Sequence, residues 1–469
     1  MSEWNRRKTV GADDNAGHER LKPSLSWWHL VALGVGAIVG TGIYTLVGVG
    51  AGLAGPAVVI SFLVAGAICA CAALAYAEVA TMIPASGSAY SYSYVAIGQL
   101  VAWVVGWSLI LEYSLVVSAV AVGWSGYAVG FLGSIGIDLP HALVAGPHAG
   151  GVLNLPAIAI VGVVAGLLAL GTRESATINA VLVVVKIAAL ALFLFVALPH
   201  FDSANFTPFM PYGFAATAGA GGVQHGVMAA AAIIFFAFYG FDAVSTAAEE
   251  CKNPGRDLPI GIIGAMVVCT AIYIGVAAGA IGAAPYTAFA ESPEPLALIL
   301  RSLGGDKAAV LVGAAAIIAL PTVILAFLFG QSRIFFAMAR DGLFPAALAK
   351  VSPRTGTPVR ITFLTAAIVA VLAGLVPLDE IAALANAGTL VAFVAVASCL
   401  LIMRRREPDR ERLFRTPLAW FVGPAAILGC IYLFSSLPRL TQGFFAIWTL
   451  VGLAIYFFWG ARRLRAQTN

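Results

Sequence analysis

Long uninterrupted runs of apolar residues recur along this chain from residue 28 onward, and they limit its fold more severely than any other feature. A helix needs about twenty apolar residues to cross a hydrocarbon layer ~30 Å thick. About twelve such runs can be read, at 28–53, 56–83, 98–132, 154–171, 177–198, 226–249, 259–284, 308–338, 359–377, 380–403, 417–437 and 443–461. They are apolar on every side, whereas a membrane β-strand needs only ~9–11 residues of alternating character. The expectation is an all-α integral membrane protein with about twelve transmembrane helices. Composition agrees, because 61% of the 469 residues are hydrophobic and 10% charged, against roughly 25% charged in soluble domains. The polar opening from Met1 to Ser26 and the length of the first run exclude a cleaved signal peptide.

Lysine and arginine set the expected orientation. Arg6, Arg7, Lys8, Arg20 and Lys22 precede the first run, and the same side receives Arg173, Lys252, Arg256, Arg340, Lys350, Arg354, Arg360, the cluster from Arg404 to Arg415, Arg462, Arg463 and Arg465. Arg301, Lys307 and Arg439 fall on the other side. Cytoplasmic loops carry the excess of such residues, so both termini are expected in the cytoplasm and the chain in a plasma (inner) membrane. The formal charge of +4 reflects this asymmetry and points to no nucleic-acid partner. The longest outer loop, Gly133 to Asn154, is rich in Gly, Pro and Ala and carries no core of its own. Cys69, Cys71, Cys251, Cys269, Cys399 and Cys430 lack metal-ligand spacing and read as small apolar packers. No HExxH, His/Asp metal cluster or Ser–His pair stands at membrane depth, so no catalytic, metal or cofactor site is expected.

Two of the runs are interrupted. The first contains GVGAIVGTGIY, with Gly34, Gly36, Gly40 and Gly42 around Thr41, a poor stretch in which to keep a helix unbroken. The sixth contains FFAFYGFDAVS, where Gly240 stands among aromatics and Asp242 follows at once. Close helix packing also uses glycine. Two interruptions five runs apart, however, point to inverted repeats, runs 1–5 against runs 6–10, with binding at mid-membrane. After the first break the N–H groups of Gly40, Thr41 and Gly42 would stand at a helix N-terminus, which favours a carboxylate. Freed carbonyls of Ile38, Phe236 and Tyr239 would accept from an ammonium. A free α-amino acid carries both groups close together.

Other ionisable residues inside the runs should face the bundle interior, since each would cost several kcal/mol against lipid. Glu78, late in the second run, is expected to snorkel to the inner face. Glu112 and Lys186 sit deeper. Lys186 is read either as one half of a structural ion pair or as a titrating amine that couples transport to protons. Burial favours its neutral form and nearby carbonyls its charged form.

The chain resembles the amino acid–polyamine–organocation superfamily, in particular its cationic amino acid transporter branch. The resemblance rests on LKPSLSWWHL leading into GVGAIVGTGIY, on AYAEVATMIPASGSAYSYSYVAIG, and above all on FFAFYGFDAVSTAAEECKNPGRDLPIGI. It implies a 5+5 inverted-repeat transporter fold with broken helices 1 and 6. Residues 1–26 would form a cytoplasmic tail, 27–200 and 201–404 the two five-helix repeats, and 405–469 helices 11 and 12 with a cytoplasmic tail. With about twelve spans the chain looks like the shorter bacterial type, without the two extra spans of the longer animal carriers.

The same resemblance implies roles for individual residues. The substrate carboxylate would bind the Gly40, Thr41 and Gly42 backbone and the Thr41 hydroxyl, and the amino group the carbonyls of Ile38, Phe236 and Tyr239. Of Phe235, Phe236 and Phe238, which cannot all face one cavity, Phe236 would be the lid. Lys186 would replace a bound sodium ion between spans 1 and 8, near the carbonyls of Gly36 and Val39 and beside Thr322. Glu249, Glu250 and Lys252 would lie at the cytoplasmic gate. Asp242 and Glu112 could face a substrate side chain, Lys186 or protein hydroxyls, and do not by themselves demand a cationic substrate. The expected function is secondary active transport of neutral or cationic L-amino acids by alternating access, coupled to protons. Its partners would be the amino acid, protons and the lipid bilayer, and a small membrane subunit is left open. The alternative is a membrane sensor that binds an amino acid without moving it.

Overall fold

In lipid, every backbone N–H and C=O needs a partner within the protein, and a helix supplies most of them locally. The computed structural model describes residue 7 and residues 25–83, 87–170, 176–219, 223–246, 251–344 and 359–460, and these are almost wholly helical. The first apolar run forms α1 (Trp27–Ile38), α2 (Thr41–Tyr44) and α3 (Leu46–Ala54). A turn at Gly55, whose φ is +66°, leads into α4 (Val58–Met82). After α5 (Ser88–Ala96) come the long α6 (Gln99–Ser134), the short α7 (His141–Val144), α8 (Leu155–Ala169) and α9 (Ala176–Ala197). A connection follows that holds a two-residue hairpin, β1 (Thr217–Ala218) against β2 (Gln224–His225).

The second half repeats the theme of a divided helix. The α-helix α10 (Val227–Ile234) tightens to a 3₁₀ turn at Phe235–Phe238, and α11 (Phe241–Thr246) starts after a turn at Gly240. Then come α12 (Pro254–Ala283), α13 (Pro295–Ser302), α14 (Asp306–Arg340), α15 (Val359–Leu375), α16 (Leu378–Arg406), α17 (Ala419–Ser435) and α18 (Arg439–Ile455). Among the described residues seven helical stretches are long and apolar enough to span a membrane, and five shorter apolar helices accompany them. The most apolar windows of α6 and α16 are each 72% buried and that of α18 is 22% buried, so the first two run through the centre and the last along the rim.

Polar groups inside the bundle complete what the helices leave undone. Pro321 within α14 has no N–H for the carbonyl of Ile317 four residues earlier. The indole N–H of Trp124, on α6, donates to that carbonyl at 2.9 Å. At the rim, Trp107 and Trp448 stack with centroids 4.5 Å apart, and each indole donates to the other's carbonyl, so α18 is pinned to α6.

Glu78 departs from expectation. It is fully buried and does not snorkel to water. Arg404 donates to both its oxygens, at 2.9 and 2.6 Å, the Thr416 N–H donates at 2.7 Å, and Arg412 Nε stands 3.2 Å away. These partners come from the last turn of α16, which carries Arg404, and from the segment joining α16 to α17, which carries Arg412 and Thr416. Neighbouring arginines cap other helices: Arg410 donates to Met82 O at the end of α4, and Arg406 to Ala96 O at the end of α5.

Candidate functional site

Because α1 stops at Ile38, the carbonyls of Gly36, Ala37 and Ile38 have no i+4 amide within it. Lys186 Nζ, from α9, donates to Gly36 O at 2.8 Å and lies 3.4 Å from Thr322 Oγ1 of α14. One side chain thus touches the first broken helix and α14 together. Lys186 is 1% exposed, so its terminal nitrogen has a carbonyl and a hydroxyl in place of water.

The Ile38 carbonyl, expected to be open, already accepts from the Tyr273 hydroxyl of α12 at 2.8 Å. The same hydroxyl reaches Ala237 O in the second break at 3.0 Å. Tyr273 therefore ties the two interruptions together. Their backbones also cross at contact distance. A Cβ on Gly42 would collide with the Ala237 backbone, and one on Gly240 with that of Ala37. Gly240 in addition has φ +108°, a conformation that suits glycine alone.

Thr41 and Gly42 open α2, and their amides precede any intrahelical acceptor. The Thr41 hydroxyl is buried and has no hydrogen-bond partner among the described residues. Gly123 of α6 makes room for it, since a Cβ there would strike the Thr41 side chain. The break thus presents a carboxylate-sized set of donors: two backbone amides and one hydroxyl.

The three phenylalanines diverge, as their spacing requires. Phe235 packs on Phe393, Phe238 on Phe62 and Tyr273, and Phe236 on Tyr239, next to the break. Phe236 O accepts from Tyr239 N at 3.3 Å. Asp242, in the first turn of α11, accepts from the Tyr113 hydroxyl at 3.1 Å. Glu112, one residue before Tyr113, is buried. Its Oε2 has no hydrogen-bond partner among the described residues.

Glu249 and Glu250 lie outside the described residues. Beside them in sequence, Leu25 forms an isolated parallel bridge with Cys251, and Lys252 N donates to Leu25 O at 2.9 Å, tying the start of α1 to the segment before α12. At the other end Tyr127 donates to Tyr44 O at 2.6 Å, and the Tyr44 hydroxyl to Lys186 O at 3.1 Å. Beyond them Glu294 pairs with Arg301 on α13.

Tyr273, Tyr113 and Gly123 were not singled out from the sequence. Tyr273 sits in the apolar run CTAIYIGVAAG, where a lone tyrosine looks like any other core aromatic. Only the crossing of the two breaks places its hydroxyl between two freed carbonyls.

A family profile described as amino acid permease matches residues 25–459. The chain is 45% identical over 451 residues to the branched-chain amino acid permease BcaP of Bacillus subtilis (strain 168), covering 95% of each chain. It is 42% identical over 445 residues to the methylthioribose transporter of the same organism, covering 94% of each. It is also 37% identical over 424 residues to the vacuolar cationic amino acid transporter 4 of Arabidopsis thaliana, covering 87% of this chain and 68% of that one.

Proposed function

The chain belongs to the amino acid permease family, within the amino acid–polyamine–organocation superfamily, and from that premise we propose that it is a proton-coupled secondary carrier of L-amino acids. It is a multi-pass membrane transporter and not an enzyme. In this reading twelve helices cross the membrane, counting α1 to α3 and α10 with α11 as one divided span each. Spans 1–5 (27–200) and 6–10 (201–404) form inverted repeats, and 405–469 adds spans 11 and 12. Both termini lie in the cytoplasm and the membrane is the inner one.

The observation that carries the reading is the pair of broken helices crossing at Gly42 and Gly240, with the Thr41 hydroxyl and the first amides of α2 lacking acceptors of their own. Thr41 and Gly42 would hold the substrate carboxylate at the positive end of a helix. The amino group would meet the carbonyls of Phe236 and Tyr239, and Phe236 would close over it. Ile38 O is engaged with the Tyr273 hydroxyl and Phe236 O with the Tyr239 amide, so the share of each in binding the amino group requires its second lone pair. Since these contacts address groups common to all amino acids, side-chain selectivity is broad, and the relatives named for branched-chain and for cationic amino acids support both classes as candidates.

Lys186 would carry the proton. Its ammonium bridges Gly36 of span 1 to Thr322 of span 8 and would hold the inner side closed. Deprotonation toward the cytoplasm removes the bridge and frees the two bundles to rock apart, linking proton release to substrate release. Glu112 and Asp242 form a second acidic station nearby, and Glu249, Glu250 and the Leu25–Cys251 tie form the inner gate.

Uptake into proteoliposomes by a panel of labelled amino acids, with and without a pH gradient and with and without sodium, tests this. Lys186→Ala is expected to abolish accumulation driven by the pH gradient while the protein stays folded and retains substrate binding. Gradient-driven accumulation by that variant, or a strict sodium requirement in the wild type, defeats the coupling assignment. Counterflow of labelled substrate separates a carrier from a sensor, which shows none. Methylthioribose belongs in the panel because one relative is named for carrying it. It lacks both α-carbon groups, so transport of it alone would remove the amino acid reading.

A further inference from the structure

The second break leaves freed carbonyls of its own. α10 ends at Ile234 and the chain tightens to 3₁₀, so the carbonyls at the end of α10 lose their i+4 amides. Two of them meet a single side chain from α16. Asn386 Nδ2 donates to Ala232 O at 2.6 Å and to Ile233 O at 2.9 Å. Asn386 Oδ1 accepts from the Tyr239 hydroxyl. Asn386 is fully buried, and both amide hydrogens and the amide oxygen are engaged. The orientation of the amide is unambiguous, because two carbonyls need donors and a phenol hydroxyl needs an acceptor.

We infer that Asn386 is a positioning residue for the transport reaction: it holds the span 6 break open and, through the Tyr239 hydroxyl, fixes the residue whose backbone carbonyl belongs to the proposed amino site. Without it, the cheapest partners for Ala232 O and Ile233 O are the amides of Phe236 and Ala237, four residues on in each case. Taking them would restore an α-helical turn through the 3₁₀ segment. Phe236 and Tyr239 would then rotate away from their present places, and with them the carbonyls meant for the substrate ammonium. A purely packing residue at this position needs no donors at all. Three well-directed bonds to one interrupted helix, from one amide in the middle of another, do.

This rests on the proposed binding of the α-amino group at the span 6 break, so its test has one arm that is independent of transport. Hydrogen–deuterium exchange on the purified, detergent-solubilised chain reads the peptide covering 235–240. Asn386→Leu, similar in size and without donors, is expected to slow exchange at Phe236 and Ala237 as the poorer i−3 geometry of the 3₁₀ turn gives way to α-helical i−4 bonds. Unchanged or faster exchange there overturns the clamp, whatever the substrate proves to be.

The second arm is uptake of labelled L-leucine, L-alanine and L-arginine into proteoliposomes. For whichever of these the wild type carries, Asn386→Leu should raise KM at least tenfold and by the same factor. Vmax per folded carrier should stay within about threefold of the wild type. Asn386→Thr, which returns one donor, should fall between the two. Tyr239→Phe should have a smaller effect that vanishes in the Asn386→Leu background. If Asn386→Leu does not fold, the Thr and Phe variants carry both arms. A merely structural residue would lower the amount of active carrier and leave KM unchanged, and that result, or a KM shift confined to one substrate, overturns the proposal. Gly42→Val keeps the two readings apart. If it leaves binding intact while Asn386→Leu still slows exchange, the substrate site is misplaced but the clamp stands.

Discussion

At the scale of single residues, the two breaks are governed by glycines that admit no Cβ. Gly42 lies against the Ala237 backbone, and no rotamer change can relieve a collision there. Gly42→Val is therefore expected to block binding of every amino acid alike, measured by substrate-induced thermal shift. Survival of binding in a folded variant would remove the first break from the carboxylate site. Phe236 is a gentler case. It is buried and packs on Tyr239, a ring it shares with Phe235. Phe236→Ala should lower the melting temperature, since a buried ring is removed, and lower the maximal exchange rate more than it raises KM, because occlusion is lost and contact with the α-carbon groups is kept. Unchanged exchange would return Phe236 to simple core packing.

At the scale of elements, α14 shows how a helix interrupted by proline is repaired from outside. The carbonyl of Ile317 has the Trp124 indole in place of the absent amide of Pro321. Removing the donor leaves a buried acceptor unsatisfied, at a cost of about 1–3 kcal/mol. Trp124→Phe should lose about that much stability in chemical unfolding, and Pro321→Ala added to it should recover most of the loss by supplying the missing N–H. A double variant no more stable than Trp124→Phe alone would mean that the lost stability was aromatic packing. Thr322 follows Pro321 directly, so the same repair places the hydroxyl that Lys186 meets.

At the scale of the whole molecule, the tie between Leu25 and Cys251 joins the two ends of the proposed inner gate. Burial first, and Asp257 beside it second, together push the Cys251 thiol up to about 11. The thiolate is the reactive form. In the closed protein, maleimide labelling of Cys251 should thus be slow at pH 7.5 and rise about tenfold per pH unit up to pH 9.5, where an ordinary thiol, with pKa about 8.5, levels off. Transported substrate should accelerate labelling at constant pH by opening the gate. Mass spectrometry of the labelled peptide reads both effects, and a rate that plateaus near pH 8.5 and ignores substrate would place Cys251 away from any moving contact.

Much of this protein is determined locally. Runs of twenty apolar residues become helices because lipid offers the backbone no other partner, and GVGAIVGTGIY and FFAFYGFDAVS break because glycines and crowded aromatics cannot sustain an unbroken helix between them. Those facts read directly from the sequence, as did the depth of Lys186, Glu112 and Asp242. What the sequence leaves undetermined is which group answers which. Glu78 reads as a surface acid until the end of α16 and the segment after it bring Arg404 and Arg412 onto it from more than three hundred residues away. Tyr273 and Asn386 read as ordinary members of apolar helices until the two breaks cross beside them and leave carbonyls without amides. A helix break shows in local composition because it depends on neighbours in the chain, whereas the side chain that satisfies it depends on neighbours in space, which only the packed bundle supplies.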